Sequence, residues 1–286
     1  VLEVEADQAV FYGLRVMVEE PELARALSHA AERQGTIARV HLPIDTGLAR
    51  FGCRPQEAPA LASFIAGQPG LVLEGVGSHF ADSANDPVRT NEQEELFEET
   101  LSECRESGHE FEVIHLANSA AAAKRASSRH DMVRVGISAY GLDPYKLYKG
   151  RTRPVMTWKA RVMSVRTLRP GSPVGYSGTY VTIGPTKIAT LGVGYGDGYP
   201  RALSNKGFVV VKGARLPVVG LVCMDQLLVD AGTVPWLQVG DEAELLGVEA
   251  SAVELAALSG TNVHEIVTRI MSRVPRRYRH SETVEG

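Results

Sequence analysis

The chain has 286 residues, 44% of them apolar, and a formal net charge of −4 at pH 7. This length and apolar content suffice for one or two packed domains, and the acidic balance argues against nucleic acid or an anionic membrane as the main partner. The longest apolar runs, such as 208–211, are far too short to span a bilayer, and the first residues lack the basic and apolar regions of a signal peptide.

The first half of the sequence alternates strand-like and helix-like segments. Pro21 stands where a first helical position is expected and Gly35 supplies a stop, which predicts a helix between them. Thr90 with Gln93 has the spacing of a capping box at the start of another helix. The predicted strands are 9–18, 37–45, 71–80, 111–117 and 132–142.

This alternating order predicts parallel strands joined by right-handed crossovers. The five predicted strands are too few to close a (β/α)₈ barrel, which would need three more units. A partial barrel over residues 1–147 is therefore the expected fold of the first half.

The second half, 148–286, has the pattern of an all-β domain. Glycines punctuate short alternating runs, as between antiparallel strands. The predicted strands are 159–168, 187–193, 207–212, 218–222 and 242–246, and helical segments follow at 252–258 and 264–271.

The cysteines Cys53, Cys104 and Cys223 are odd in number and widely spaced. This pattern predicts free thiols in a reducing compartment such as the cytoplasm, and it contains no metal-ligand spacing.

Several short stretches occur together, in one order, along nearly the whole chain. They are Asp45-Thr46-Gly47-Leu48-Ala49-Arg50-Phe51-Gly52, Ser78-His79-Phe80-Ala81, Ala117-Asn118-Ser119-Ala120, Arg134-Val135-Gly136-Ile137, Gly194-Tyr195-Gly196-Asp197-Gly198-Tyr199, Cys223-Met224-Asp225-Gln226 and Arg273-Val274-Pro275-Arg276. As an ordered set they resemble the alanine racemase family of fold-type III pyridoxal-phosphate (PLP) enzymes.

The resemblance implies a TIM-type α/β barrel, of which the last five βα units are present, followed by an all-β domain. It implies PLP-dependent interconversion of L- and D-alanine, for peptidoglycan precursors, in a cytoplasmic homodimer with shared active sites. PLP supplies the electron sink for the carbanion that forms when the Cα proton leaves, so the protein must hold PLP and place one base on each face.

By resemblance, Tyr195 is the base that takes the proton from L-alanine, reaching the cofactor of the other subunit. Arg134 meets the pyridine nitrogen and leaves it unprotonated, since a guanidinium has only donors. His79 would hydrogen-bond Arg134. The alternatives are a packed tyrosine in a glycine-rich turn, a surface arginine at a strand end and a structural histidine.

Phosphate binding requires hydroxyls and backbone N–H groups at loop and helix starts. Asn118 and Ser119 precede an alanine-rich helix, and Gly136 and Ile137 could donate their amides. His264 stands where the family has a tyrosine that touches phosphate. A plain N-cap is the alternative role for Ser119.

Arg50 and Met224 form the substrate pair by resemblance. Arg50 would bind the alanine carboxylate, the partner subunit's Met224 would contribute its amide, and Asp225 would shape that loop. Many members have a lysine that orients this arginine, whereas Pro43 stands in its place here. A different anion, or none, would then orient Arg50.

The family's PLP lysine, which is also the second base, is expected in a Lys-Ala-x-Ala-Tyr-Gly-type stretch that this sequence lacks. We expect that stretch in a segment before Val1. The alternative functions are a broad-specificity amino-acid racemase and a truncated, non-catalytic relative that acts as a dimerising scaffold.

Overall fold

The structure is a computed structural model that describes residues 1–279. The chain divides into two compact units. The first comprises Val1–Ser138 with Tyr145–Lys149, and the second comprises Ala139–Pro144 with the chain from Gly150 onwards. The chain thus changes unit at 138/139, 144/145 and 149/150, close to where the sequence pattern changes.

The first unit alternates helices with parallel strands. Its elements are α1 Ala6–Phe11, β1 Val16–Met17, α2 Pro21–Gln34, β2 Ala38–Pro43, α3 Ala58–Ala66, β3 Leu71–Gly77, α4 Pro87–Glu106, β4 Val113–His115 and α5 Ser119–Lys124. The strands form one parallel sheet in the order β1-β2-β3-β4. The predicted order of parallel strands joined by helices is confirmed.

Helix α2 begins and ends where its sequence indicates. Pro21 is its first residue, and Gly35 ends it in the left-handed conformation at φ 61°, which glycine adopts without steric cost. Ala24 and Leu27 recur on one face and are fully buried. The core of this unit lies between such faces and the sheet, with Ile65 of α3 and Phe97 of α4 also buried.

Two of the five predicted strands are wrong. Residues 9–11 end helix α1, whose buried Ala6, Ala9 and Val10 have helical spacing. A turn and loop follow, and only β1 at Val16–Met17 is strand. The segment 132–142 contains no strand. Isolated hydrogen bonds, such as the one from Arg134 N to Ala117 O at 2.9 Å, join this segment to β4 and to the residues just after β4. The segment then forms a 3₁₀ turn at Ile137–Tyr140.

The predicted capping box at Thr90 is also wrong. Helix α4 begins at Pro87, and its N-cap is Asp86, whose carboxylate accepts from Arg89 N at 3.0 Å. Thr90 lies inside the helix, where its hydroxyl donates to the Asp86 carbonyl at 2.5 Å. With proline at the first position, the helix starts four residues earlier than the box indicated.

Two glycines of β3 leave room for imidazole rings from both neighbouring strands. In the strand register, His41 pairs with Gly75 and His115 pairs with Gly77. A Cβ on Gly75 would lie 2.8 Å from the ring of His41, and one on Gly77 would overlap the ring of His115. Both histidines are buried, His115 completely. The two imidazole rings therefore occupy space that larger side chains at positions 75 and 77 would fill.

The second unit is an antiparallel sheet with two helices. Its elements are β5 Trp158–Leu168, β6 Pro173–Val174, β7 Tyr180–Val181, β8 Thr186–Leu191, β9 Phe208–Val211, β10 Ala214–Pro217, β11 Leu227–Asp230, β12 Glu242–Leu246, α6 Ala252–Ser259 and α7 Val263–Thr268. Six strands pair in the order β10-β9-β12-β5-β8-β11, and β6 pairs with β7. The predicted all-β character is confirmed.

Within this unit the predicted strand at 218–222 is wrong. Only Val218 forms a bridge, to Val229, and the chain then turns at Gly220, which has φ 76°. The strands β10 and β11 on either side were not predicted. Over residues 1–279, no helix is both long and apolar enough to cross a membrane.

We expect Gly77→Ala to lower the free energy of unfolding by about 1–3 kcal/mol, because the new methyl group overlaps the His115 ring. Urea unfolding measures the change. Gly184→Ala is the matched control, since nothing lies within 4 Å of a Cβ there. Equal effects of the two substitutions would contradict the tight packing of His115 against β3.

We expect the free energy of unfolding to fall by about 2 kcal/mol between pH 8 and pH 5 through His115 alone. Burial, followed by the charge of Arg134, lowers the pKa of His115 to about 3. Below about pH 6.5, the ordinary pKa of histidine, the unfolded chain binds a proton at His115 whereas the folded chain does not. The stability that His115 contributes is therefore present above about pH 6.5 and is lost as the pH falls.

Urea unfolding across this pH range measures the loss. His115→Gln should flatten the dependence by that amount, whereas His29→Gln, at an exposed position, should retain the wild-type slope. A slope that His115→Gln leaves unchanged would show that His115 carries no such linkage.

Candidate active site

Arg134 is held by several acceptors at the carboxyl ends of β3 and β4. Its Nη1 donates to the His115 carbonyl at 3.1 Å and also contacts His115 Nδ1. Its Nη2 donates to the Ser78 carbonyl and lies 3.2 Å from His79 Nδ1. Among the ion pairs of residues 1–279, none joins Arg134 to a carboxylate. The positive charge of this half-buried guanidinium is therefore not neutralised by a neighbour.

The surroundings of Arg134 are electropositive. Burial, then the charges of Arg134 and Arg50, lower the pKa of His79 to about 4, so this imidazole is neutral at neutral pH. Burial and the charge of Arg50 also lower the pKa of Arg134. A guanidinium nevertheless stays charged in proteins. Two cations and a neutral imidazole thus act on one region, an arrangement that favours an anionic ligand.

The loop that carries Arg50 is organised by one carboxylate. Asp45 Oδ1 accepts from the backbone N–H groups of Gly47 at 2.9 Å, and of Leu48 and Ala49 at 3.0 Å. Burial would raise the pKa of Asp45, but these hydrogen bonds offset it and hold the pKa below its ordinary value. Ala49 adopts φ 57°, and the Arg50 side chain that follows is exposed.

A chain of buried polar side chains leads away from Arg134 through the interior of the first unit. His115 Nε2 lies 2.8 Å from His41 Nδ1, and His41 Nε2 lies 3.1 Å from Glu74 Oε2. Glu74 is buried, yet it also pairs with Arg15 at 2.8 Å and with Arg39 at 3.2 Å. Sequence analysis assigned no function to His41, Glu74 or His115.

Gln93 of α4 connects the two loops that carry Arg50 and His79. Its side chain donates to the His79 carbonyl at 3.2 Å and accepts from Ala81 N at 2.9 Å. It also lies 3.4 Å from the Thr46 hydroxyl, which is 2.8 Å from the Ser78 hydroxyl. Gln93 was predicted only as part of a capping box, so this supporting role was missed.

Four of the five residues predicted to bind phosphate, all except His264, lie at or near the start of α5. Asn118 is the N-cap, since its side chain accepts from Ala121 N at 3.1 Å. Ser119 is therefore not the cap, and its hydroxyl instead accepts from Gly136 N at 2.9 Å. Gly136 is exposed, whereas Ile137 is buried. A hydroxyl and a backbone amide thus meet beside a helix start.

In the second unit, Tyr195 and Met224 lie on two loops that are hydrogen-bonded to each other. Tyr195 N donates to the Cys223 carbonyl at 2.9 Å, and Gly196 N donates to the Met224 carbonyl at 2.7 Å. The side chains of Tyr195 and Met224 are exposed, at 40% and 58%. The structure therefore brings these two predicted residues together on one surface.

Two further predicted residues also belong to the second unit. Asp225 is exposed, and its charge, after burial, raises the pKa of Cys223. His264 is exposed on α7, and within residues 1–279 its side chain makes no hydrogen bond or ion pair, although its carbonyl accepts from Thr268. The structure thus gives His264 no partner that would indicate a role.

A sequence signal for the missed interior residues exists in hindsight. Strand β3 reads Glu74-Gly75-Val76-Gly77, and each of the neighbouring apolar strands carries one histidine. Small residues opposite polar ones in a buried sheet indicate room for side chains that cross the strands. Finding that pairing required the strand register.

Both units match models of known protein families. Residues 1–144 match the family model "Alanine racemase, N-terminal domain", and residues 155–278 match "Alanine racemase, C-terminal domain". The alanine racemase of Halothermothrix orenii is 38% identical over 276 residues, which cover 94% of this chain and 73% of that protein.

Solved structures agree. The alanine racemase from D-cycloserine-producing Streptomyces lavendulae is 34% identical with a TM-score of 0.90, over 96% of this chain and 75% of that one. The alanine racemase from Bartonella henselae, solved with covalently bound pyridoxal phosphate, is 27% identical with a TM-score of 0.85, over 97% of this chain and 77% of that one. These relatives favour neither a broad-specificity racemase nor a non-catalytic scaffold. With both domain models matched in order, this chain belongs to the alanine racemase family of PLP-dependent enzymes.

Proposed function

We propose that this protein racemises alanine with PLP. The observation that carries the proposal is the guanidinium of Arg134, held without a carboxylate among His79, His115 and Ser78. A donor-only group fixed in this way suits a ring nitrogen that must stay unprotonated. The direct test is conversion of L-alanine to D-alanine by the purified protein supplied with PLP.

The residues present fit this cofactor. When bound, PLP supplies an electron sink for charge that develops at the substrate Cα. Arg134 offers donors toward the ring, and His79, neutral because its pKa lies at about 4, orients Arg134 without adding charge. Arg50 and Arg134 together provide the positive potential that an anionic cofactor and a carboxylate substrate require.

The phosphate would lie at the start of α5. The Ser119 hydroxyl and the Gly136 amide, now 2.9 Å apart, would both turn to phosphate oxygens, with the Ile137 amide beside them. Asn118 fixes the start of the helix, so it would act by positioning Ser119. His264 remains a proposed phosphate contact on the strength of the resemblance alone.

The substrate roles divide between the two units. Arg50 would bind the alanine carboxylate from the loop that Asp45 organises. Met224 would donate its amide, with Asp225 shaping the turn. Tyr195 Oη would accept the Cα proton of L-alanine and return a proton in the reverse direction.

The second base and the covalent anchor are proposed to be a lysine outside the seven present here. Four of the seven lysines of this chain already donate hydrogen bonds through their ammonium groups, namely Lys124 to Ala84 O, Lys159 to Glu242, Lys187 to Pro235 O and Lys212 to Asp241.

We also propose a TIM-type barrel for residues 1–147, a β-domain for 148–286 and a cytoplasmic homodimer. The parallel sheet of β1–β4 supports the barrel, and three free cysteines support a reducing compartment. The exposed Tyr195 and Met224 support contact with a second subunit, whose active site they would complete. The product D-alanine would serve peptidoglycan precursors.

We expect Tyr195→Phe to lower racemisation about 10²- to 10⁴-fold, because the phenol oxygen is the proton carrier. PLP binding, followed by absorbance, should be unchanged because the ring is kept. Tyr176→Phe, another exposed tyrosine of the second unit, is the matched control and should keep full activity. Near-wild-type rates for Tyr195→Phe in both directions would end the assignment.

Shared sites can be tested by mixing inactive variants. After subunit exchange, Tyr195→Phe with Arg50→Ala should recover about one quarter of wild-type activity, since half the dimers are mixed and each has one intact site. Mixing Arg50→Ala with Arg134→Ala, both in the first unit, should recover none. No recovery in the first mixture, with exchange confirmed, would place Tyr195 and Arg50 of one chain in the same site.

A further inference from the structure

The buried side chains behind Arg134 form a continuous hydrogen-bonded chain that ends at a carboxylate. It runs from Arg134 through His115 and His41 to Glu74, with ring-to-ring and ring-to-carboxylate distances of 2.8 Å and 3.1 Å. His115 is 0% exposed, His41 6% and Glu74 5%. None of the chemistry proposed above uses Glu74 or His41.

The donor at the Arg134 end fixes the protonation of the first ring. A guanidinium can only donate, so His115 Nδ1, which contacts Arg134 Nη1, must carry a lone pair. Burial and the charge of Arg134 hold the pKa of His115 at about 3, so this ring is neutral and its proton sits on Nε2.

The same reasoning assigns the proton of the second ring, that of His41. His115 Nε2–H donates to His41 Nδ1, which must therefore be bare. The proton of His41 is then on Nε2, where it donates to Glu74 Oε2. Every hydrogen bond in this series of side chains is thus donated in the direction from Arg134 toward Glu74. Both histidines are neutral Nε2–H tautomers.

Glu74 is able to act as the final acceptor because its charge is supported from outside. Burial would raise the pKa of Glu74, but the hydrogen bonds from His41 and Arg15 offset it and keep the pKa below its ordinary value. Arg39 adds a further contact at 3.2 Å. A carboxylate that stays ionised can only accept, so it cannot reverse the direction of the chain.

We propose that Glu74 is a positioning residue that, through His41 and His115, selects the imidazole tautomers which hold Arg134 at the cofactor. Its importance for catalysis rests on the proposed function, whereas the tautomer selection does not. With Glu74 removed, only the contact with Arg134 still opposes a proton on His115 Nδ1, so a fraction of the molecules adopts the opposite tautomer. That proton would then face the donors of Arg134.

The chain depends on the same glycines that shape the interior. Gly75 and Gly77 provide the space in which the two rings lie, one on each side of β3. The ring centroids of His41 and His115 are 5.0 Å apart with a 30° tilt, so the rings meet through nitrogen atoms rather than by stacking. Packing and hydrogen bonding therefore specify the same arrangement.

The first test is ¹⁵N NMR of imidazole nitrogens at pH 7 in the wild-type protein without cofactor. His41 and His115, assigned by His41→Gln and His115→Gln, should each show one bare Nδ1 and one protonated Nε2. A protonated Nδ1 on either ring would overturn the proposal. This readout requires neither PLP nor activity, so it stands even if the protein is not a racemase.

The second test compares three variants. Glu74→Leu should bring a protonated Nδ1 into the His115 spectrum and weaken PLP binding about tenfold, measured by titration of absorbance. Glu74→Gln keeps an acceptor oxygen but adds a donor NH2 group, so it should preserve the tautomers more fully than Glu74→Leu and less fully than the wild type. Glu112→Gln is the matched control, because Glu112 is exposed and pairs with Arg39 at 3.2 Å but does not touch the histidines.

Unchanged His115 tautomers in folded Glu74→Leu would overturn the proposal, as would an equal effect from Glu112→Gln. If Glu74→Leu does not fold, the wild-type spectrum decides, since a protonated Nδ1 on His41 or His115 contradicts the argument. Should wild-type protein fail to bind PLP while its histidines show the expected tautomers, the proposed function fails and the positioning role of Glu74 stands.

Discussion

The site depends on how a half-buried guanidinium is satisfied without a carboxylate beside it. Arg134 binds the carbonyls of Ser78 and His115 and contacts two imidazoles. Those carbonyls belong to residues at or just beyond the ends of β3 and β4, and the His115 carbonyl also accepts from Ser78 N at 3.2 Å. The strand ends thus supply the acceptors, and the guanidinium keeps its charge for a ligand.

The carboxylate at the far end of the hydrogen-bonded side chains does not neutralise Arg134. Glu74 lies on β3 and is separated from Arg134 by His115 and His41. Arg15 and Arg39 pair with it and compensate its negative charge. A carboxylate in direct contact with Arg134 would neutralise it, whereas one separated by two neutral rings orients it through hydrogen bonds. The arrangement requires a polar interior, and Gly75 and Gly77 make that interior possible.

The second unit presents its predicted residues by backbone geometry. Gly194 and Gly198 allow the chain to approach its neighbours closely, since a Cβ on Gly194 would clash with the Cys223 carbonyl and one on Gly198 with the Arg269 carbonyl. Asp197 accepts from Gly194 N at 2.9 Å and pairs with Arg273 at 2.8 Å, which closes the turn. Tyr195 projects from a loop that is fixed at both ends.

The sequence by itself determined the βα order of the first half, the all-β character of the second, the ends of α2 and the family, because each follows from local periodicity, turn residues or ordered motifs. Only the tertiary structure decided that 132–142 is not a strand, that Gln93 joins two loops and that Glu74, His41 and His115 stand behind Arg134. These residues are 33 and 74 positions apart along the chain, and they meet only because parallel strands set their register. Local patterns cannot encode such contacts, since register is settled by the packing of the whole sheet.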